Sequence, residues 1–235
     1  MVLNKTYTFG HPNQKTQQKM SSMSKFNLLT FICLLASLIT HAQPDPIRLN
    51  NPSFEDTPKR GGEGIDGISG WIDCGKINFP METPPDIHPK NFWGVNVEAQ
   101  HGKTYLGMVA RDNNAYESVM QELASPLLSK KTYSLDIYLA QSPKYLSRLT
   151  GNEANYVTPA VLRIWGGSGF CNERELLAES KPVTNTSWHM STFEIKPKKN
   201  MRSITLSAFY VPNTMIPYCG NILVDKISDI VQISQ

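Results

Sequence analysis

The chain has 235 residues, with 23 lysines and arginines against 20 aspartates and glutamates, and a formal net charge of +3. Residues 1–42 hold four lysines and no acidic residue, so residues 43–235 carry 19 basic against 20 acidic side chains, a net charge of −1. A nucleic-acid-binding surface requires a basic stripe, and residues 43–235 have no excess of positive charge to form one. We therefore expect no nucleic-acid partner.

A secretory signal is predicted at the N-terminus. Residues 24–42 read SKFNLLTFICLLASLITHA, a lysine followed by an apolar run of about 14 residues, which is shorter than the ~20 that cross a bilayer. Thr40 and Ala42 fit a cleavage site before Gln43. The sequence thus predicts an N-terminal extension with a signal peptide over 1–42, one domain over 43–235, no transmembrane segment in the mature chain, and a secreted or periplasmic location.

Short strands are predicted along the rest of the chain. TYSLDIYLA (132–140) alternates apolar and polar side chains, as strands with one buried face do. CNERELLAES (171–180) predicts the one short helix, capped by Asn172. About nine such strands separated by turn residues favour an all-β sandwich or barrel. The other strand candidates are 47–49, 92–97, 104–110, 118–123, 159–167, 188–195, 203–211 and 221–231.

Three cysteines follow the predicted cleavage site: Cys74, Cys171 and Cys219. Because secreted proteins fold in oxidising compartments, we expect one disulfide and one free thiol. Each of the three pairings remains open from the sequence alone.

The two ends of the domain carry a family resemblance. NPSFED (51–56), Trp71 after the first loop and NILVDKISDI (221–230) resemble galactose-binding-like jelly rolls, a superfamily that includes many bacterial carbohydrate-binding modules. The resemblance covers residues 47–231. The segments PPDIHP, GKTYLGMVARDN, EANYVTPA and LRIWGGSGFC further resemble a group of secreted bacterial proteins of unknown activity. The resemblance implies a jelly-roll β-sandwich whose first and last strands lie side by side.

The resemblance also implies a structural calcium near those two strands. Glu55 and Asp225 would supply carboxylate oxygens, the kind of ligand that calcium prefers. The alternative is that both are exposed acids at strand ends. Phe54 is predicted to lie in the core beside Trp71, and Asp56 to begin the turn into the first long loop.

The first pair of predicted ligand-binding residues lies in VLRIWGG. Leu162 and Ile164 alternate with Arg163 and Trp165, so the guanidinium and the indole share one face of a strand. Sugar sites commonly combine an aromatic ring with a few polar groups. The alternative is that the long loops cover this face and bury Trp165.

The long connections 57–91 and 141–159, with the turn after 110, supply four more candidates. Long loops in compact domains are often functional. Asp86 and Trp93 come from PPDIHPKNFW (84–93), which continues just past the first connection, Arg111 from the turn and Tyr145 from the second connection. His88, which is followed by Pro89, is predicted to be a surface residue.

These observations predict a secreted, monomeric, non-catalytic binding module for a carbohydrate or cell-envelope glycan, with a structural calcium. One alternative is an envelope module that binds another protein. Another is a glycan-active hydrolase that uses Glu117 and Asp112, although GxSxG, the frame of a serine nucleophile, is absent from the sequence.

Overall fold

The structure is a computed structural model that describes residues 44–61, 67–76, 78–79, 82, 84–147 and 153–233. The predicted signal peptide and cleavage site lie outside these residues. The described residues belong to one compact unit, Pro44–Gln235. None of the helices within them is long and apolar enough to span a membrane.

Within the described residues, thirteen strands and one short 3-10 helix, Phe92–Gly94, make up the regular structure. The strands are β1 (Ile72–Asp73), β2 (Asp86–His88), β3 (Tyr105–Ala110), β4 (Ser118–Leu127), β5 (Thr132–Ala140), β6 (Leu146–Ser147), β7 (Ala154–Asn155), β8 (Thr158–Gly167), β9 (Glu175–Glu179), β10 (His189–Ile195), β11 (Met201–Tyr210), β12 (Gly220–Asp225) and β13 (Val231–Ile233).

The strands form two layers. Sheet 1 has the order β10–β5–β12–β3–β2, with β13 also paired to β5, and sheet 2 has the order β1–β4–β11–β8–β9. A short parallel pairing of β12 with β8 joins the two sheets. The remaining pair, β6 and β7, forms a small hairpin of its own. This all-β, jelly-roll β-sandwich confirms the fold class predicted from the sequence.

The core lies between the two sheets, where the alternating side chains of both meet. Leu135 and Ile137 of β5 are buried there together with Leu162 and Ile164 of β8. Burial of apolar surface at about 25 cal/mol per Å² drives this packing. The same alternation places every second side chain on the outer face of its sheet, which is where the candidate sites lie.

The chain ends of the domain meet as the resemblance implies. Ile47 and Ile230 exchange two backbone hydrogen bonds of 2.9 Å in an antiparallel bridge. Phe54 is fully buried in the core, and its ring centroid lies 5.1 Å from that of Trp71. Both predictions for this pair of aromatic residues are confirmed.

The predicted helix over 171–180 is wrong, because residues 175–179 form strand β9 at the edge of sheet 2. The segment has good helix formers, but pairing with β8 satisfies its backbone groups and outweighs that local preference. The predicted strand over 92–97 is also wrong. Left-handed φ angles at Asn91, Trp93 and Gly94, of 56°, 55° and 77°, turn the chain sharply there. The predicted strand 47–49 is reduced to the single bridge at Ile47.

Candidate ligand-binding site

Four of the predicted ligand-binding residues come together on the outer face of sheet 1. Asp86 belongs to β2, Trp93 to the 3-10 helix, Arg111 follows β3 and Tyr145 precedes β6. A cavity of about 20 Å³, which we call the sheet-1 pocket, is lined by these four and by Val109, Glu117, Ser147 and Tyr156. Such a volume holds about one water molecule.

Asp86 connects three separate segments at the base of the sheet-1 pocket. Its side chain is 1% exposed, and Oδ1 accepts a hydrogen bond of 2.7 Å from the backbone N–H of Gly61. Oδ2 accepts a hydrogen bond from the hydroxyl of Tyr145, and the indole N–H of Trp93 also donates to the carboxylate. Burial raises the pKa of Asp86, and these hydrogen bonds oppose the rise.

Trp93 holds an unusual backbone conformation beside this carboxylate. A left-handed φ is rare for a bulky residue, and such strain is found preferentially at functional sites. The ring is partly exposed, and the guanidinium carbon of Arg60 lies 5.8 Å from its centroid. Trp93 is therefore an aromatic ring fixed from below by Asp86 and accessible from outside.

A buried hydrogen bond joins Arg111 to Glu117 in the same pocket. The tight turn between β3 and β4, closed by the 2.9 Å hydrogen bond from Arg111 N–H to the carbonyl of Ala115, brings them together. Arg111 Nη2 lies 2.5 Å from Glu117 Oε1, and Val109 N–H donates to Oε2 at 2.9 Å. Burial raises the pKa of Glu117 to about 8 with help from the charge of Asp86, while Arg111 opposes the rise.

Glu117 is not among the ligand-binding residues predicted from the sequence. Its predicted carboxylate partner, Asp112, is exposed, and the carboxylate that shares the sheet-1 pocket with Glu117 is Asp86. Glu117 directly precedes β4, whose first four residues are all buried. A buried carboxyl group next to such a strand leaves little signal of its burial in the sequence. The six-residue spacing from Arg111 was the only available indication.

His88 is fully buried, so the prediction of a surface residue is wrong. Its ring stacks on Tyr105 at 5.6 Å and meets Tyr145 edge-on at 5.8 Å between centroids. Gly107 makes this possible, because a Cβ there would lie 2.7 Å from His88 Cδ2. Neither ring nitrogen has a hydrogen-bond partner in the described part of the chain. Burial lowers the pKa of His88 to about 4, so it packs as a neutral ring.

Arg163 and Trp165 lie elsewhere, on the outer face of sheet 2. Arg163 Nε is 2.6 Å from Glu179 Oε2, and its guanidinium carbon lies 3.7 Å from the centroid of Phe209. The indole N–H of Trp165 donates to Ser207 Oγ at 2.9 Å. Both side chains are partly exposed, and both polar groups already have partners within the sheet.

A disulfide joins the segment after β1 to the connection between β8 and β9 of sheet 2. Cys74 and Cys171 are bonded, with Cα atoms 5.3 Å apart, and Cys219 is a free thiol. One disulfide with one free cysteine is therefore confirmed. The segment after β8 returns close to that strand, since a Cβ on Gly167 would lie 2.0 Å from the carbonyl oxygen of Asn172. Trp165 itself is partly exposed rather than buried.

Glu55 and Asp225, the predicted calcium ligands, approach the same loop from opposite ends of the chain. Glu55 accepts hydrogen bonds from the N–H of Lys103 at 3.0 and 3.1 Å. Asp225 Oδ2 accepts from Gln100 N–H at 2.8 Å and His101 N–H at 2.9 Å. Burial raises the pKa of Asp225 to about 6, and the charge of Glu55 adds to the rise.

This donor set fits calcium only in part. The two carboxylates are close enough to repel each other, and within the described ranges neither forms a salt bridge that would relieve the repulsion. No group of three or more His, Cys, Asp or Glu side chains in those ranges is placed to hold a metal. Backbone carbonyls would have to complete the six to eight oxygens that calcium takes.

No protein-family model and no curated protein matches the chain. Among solved structures, the chain is similar to an arabinose-bound GH51 α-L-arabinofuranosidase, at a TM-score of 0.48 and 11% identity, over 81% of this chain and 27% of the enzyme. It is also similar to the CBM22-1 xylan-binding domain of Paenibacillus barcinonensis Xyn10C, at 0.42 and 14%, over 80% and 98% of the two chains. A third match is TmCBM61 in complex with β-1,4-galactotriose, at 0.36 and 15%, over 80% and 100%.

The chain spans about a quarter of the arabinofuranosidase and nearly the whole of the two binding modules. The β-sandwich of the structure is the fold that the resemblance to galactose-binding-like, carbohydrate-binding-module-like jelly rolls implies. At these identities and TM-scores we transfer no ligand and no site residue to this chain.

Proposed function

We propose that this chain is a secreted carbohydrate-binding module that binds a cell-envelope or other glycan on the outer face of sheet 1, with Trp93 as the contacting ring. The observation that supports this most is the fixed position of Trp93 above Asp86. Sugar sites combine such a ring with a small number of oriented polar groups. The buried carboxyl groups are bonded internally, so they hold the site in shape, and the partly exposed Trp93 and Ser147 face the ligand.

Binding measurements on residues 43–235 test this proposal. A glycan array identifies a ligand, and titration calorimetry then compares Trp93→Ala with Trp165→Ala. We expect Trp93→Ala to weaken binding by about tenfold or more, as loss of an aromatic anchor does, and Trp165→Ala to leave it unchanged. Loss of binding only in Trp165→Ala would move the site to sheet 2.

One further variant, thermal melts and one further outcome sharpen this experiment. Trp93→Phe keeps a ring but loses the bond to Asp86, and thermal melts of all variants identify any that fail to fold. An array without signal, together with stable co-purification of an envelope protein, would favour the protein-binding alternative.

Glycoside hydrolysis is a second candidate, which one observation favours. Glu117 and Asp86 share the sheet-1 pocket, and a carboxyl group with a pKa near 8 is suited to act as a general acid. Against this, a cavity of about 20 Å³ has no room for a sugar. Turnover of a chromogenic glycoside that is lost in Glu117→Gln would support catalysis, and no turnover by the folded protein would exclude it for that substrate.

We also propose a structural calcium between Glu55 and Asp225. Two carboxylates that form no salt bridge within the described ranges converge on residues 100–103, and this supports the proposal, since a divalent cation would relieve their repulsion. When bound, calcium would hold the first and last parts of the domain together.

A further inference from the structure

We infer that the glycan bound at Trp93 carries an anionic group, a carboxylate or a sulfate, which Arg60 and Lys144 recognise. This inference rests on the proposed function and specifies its ligand class.

The charges around the 3-10 helix support this assignment. The guanidinium carbon of Arg60 lies 5.8 Å from the ring centroids of both Phe92 and Trp93. The stem of Lys144 packs against Gly94, the residue after Trp93, since a Cβ there would lie 2.8 Å from its Cδ and 2.9 Å from its Cε. Two cations from different parts of the chain therefore lie at the 3-10 helix that carries the partly exposed Trp93.

The position of Lys144 depends on the backbone at Gly94. With a φ of 77° and no side chain, Gly94 leaves the space that the lysine stem fills. Lys144 is exposed, and within the described part of the chain its ammonium group forms no salt bridge. A ligand anion beside Trp93 would supply the missing partner.

The two acidic side chains of the sheet-1 pocket, Asp86 and Glu117, repel a bound anion only weakly. Asp86 is buried and already accepts three internal hydrogen bonds, and Glu117 is paired with Arg111. Charge-assisted hydrogen bonds to carboxylate or sulfate oxygens are about twice as strong as neutral ones. A glycan with such a group therefore gains contacts here that a neutral glycan lacks.

Titration calorimetry with matched probes tests the inference. The probes are a uronic-acid oligosaccharide, its carboxyl-reduced counterpart, and the sulfated form of the reduced chain. We expect the uronic-acid oligosaccharide to bind about tenfold more tightly than the reduced chain, as one hydrogen bond between charged groups provides. The sulfated probe then shows whether the site requires a carboxylate or accepts either anion.

Lys144→Met is the decisive variant, because methionine keeps an unbranched apolar stem against Gly94 and removes the charge. It should bind the acidic probe about tenfold more weakly and the reduced probe unchanged. Lys131→Met, at an exposed turn between β4 and β5, is the matched control and should change neither affinity.

The possible failures are distinguishable. Equal affinities for the acidic and reduced probes, or an unaltered affinity in Lys144→Met, would overturn the inference while leaving a Trp93-dependent glycan site in place. No binding of any of the three probes, together with an array without signal, would contradict the proposed function as well.

Discussion

The carboxyl group of Asp86 accepts a hydrogen bond from the hydroxyl of Tyr145, 59 residues further along the chain. Through the additional bonds to Gly61 and Trp93, this contact ties the starts of both long loops and the exposed ring to strand β2. Asp86 was predicted as a ligand-binding residue. Its carboxylate is bonded within the protein, where it holds Trp93 and the two loops against β2.

Asp86→Ala should therefore destabilise the fold by about 3 kcal/mol or more, because three donors lose one buried acceptor at once. Asp86→Asn keeps one carbonyl oxygen and should cost less. Urea denaturation measures both. Asp112→Ala, at an exposed aspartate of the neighbouring turn, is the control and should stay within about 0.5 kcal/mol of the wild type. Equal effects for Asp86→Ala and Asp112→Ala would contradict the anchoring role.

The stability of the fold should fall as pH rises from about 6.5 to 8.5. The pKa of Glu117 is raised to about 8 in the folded state, whereas in the unfolded chain it is near 4.3. Between these values the folded state binds more protons than the unfolded state, so its stability declines with rising pH. His88, whose pKa is about 4 in the folded state, acts in the opposite direction but only below its unfolded value of about 6.5.

Melting temperatures across this pH range check the prediction. Glu117→Gln should flatten the slope, and the exposed control Glu122→Gln should keep it. A wild-type melting temperature that is constant or rises from pH 6.5 to 8.5 would show that Arg111 keeps Glu117 ionised in the folded state.

Loss of the disulfide should destabilise the protein by about 2–5 kcal/mol. Cys74 and Cys171 are 97 residues apart, and a crosslink over such a long loop strongly restricts the unfolded chain. Cys74→Ser and Cys171→Ser should give similar losses in urea denaturation, and Cys219→Ser a change under about 1 kcal/mol. A large loss in Cys219→Ser that is matched by only one of the other two variants would mean that a different pair forms in solution.

Calcium should raise the melting temperature of residues 43–235 relative to a chelator. A ligand that binds only the native state contributes ~2.7 kcal/mol at ~100 times its dissociation constant. Glu55→Gln and Asp225→Asn should each abolish the difference, and Glu122→Gln should preserve it. Identical midpoints with calcium and with chelator would refute the site and leave Glu55 and Asp225 as acceptors for the backbone N–H groups of residues 100–103.

The sequence by itself determined the class of the fold and much of its core. Alternation in 132–140 and 159–167 predicted strands because a β-strand points successive side chains to opposite faces, and this local property is independent of the partner strand. The aromatic pair Phe54 and Trp71 and the count of one disulfide and one free thiol also followed from the sequence.

The tertiary structure decided which residues share a site. Alternation showed that Arg163 and Trp165 lie on one face, but only the strand order places that face on sheet 2, away from Asp86 and Trp93. Pairing with β8 made 175–179 a strand, and a missing Cβ at Gly107 let His88 become buried. These outcomes depend on contacts between residues far apart in the chain, whose energies outweigh local preference and leave little signal in local sequence.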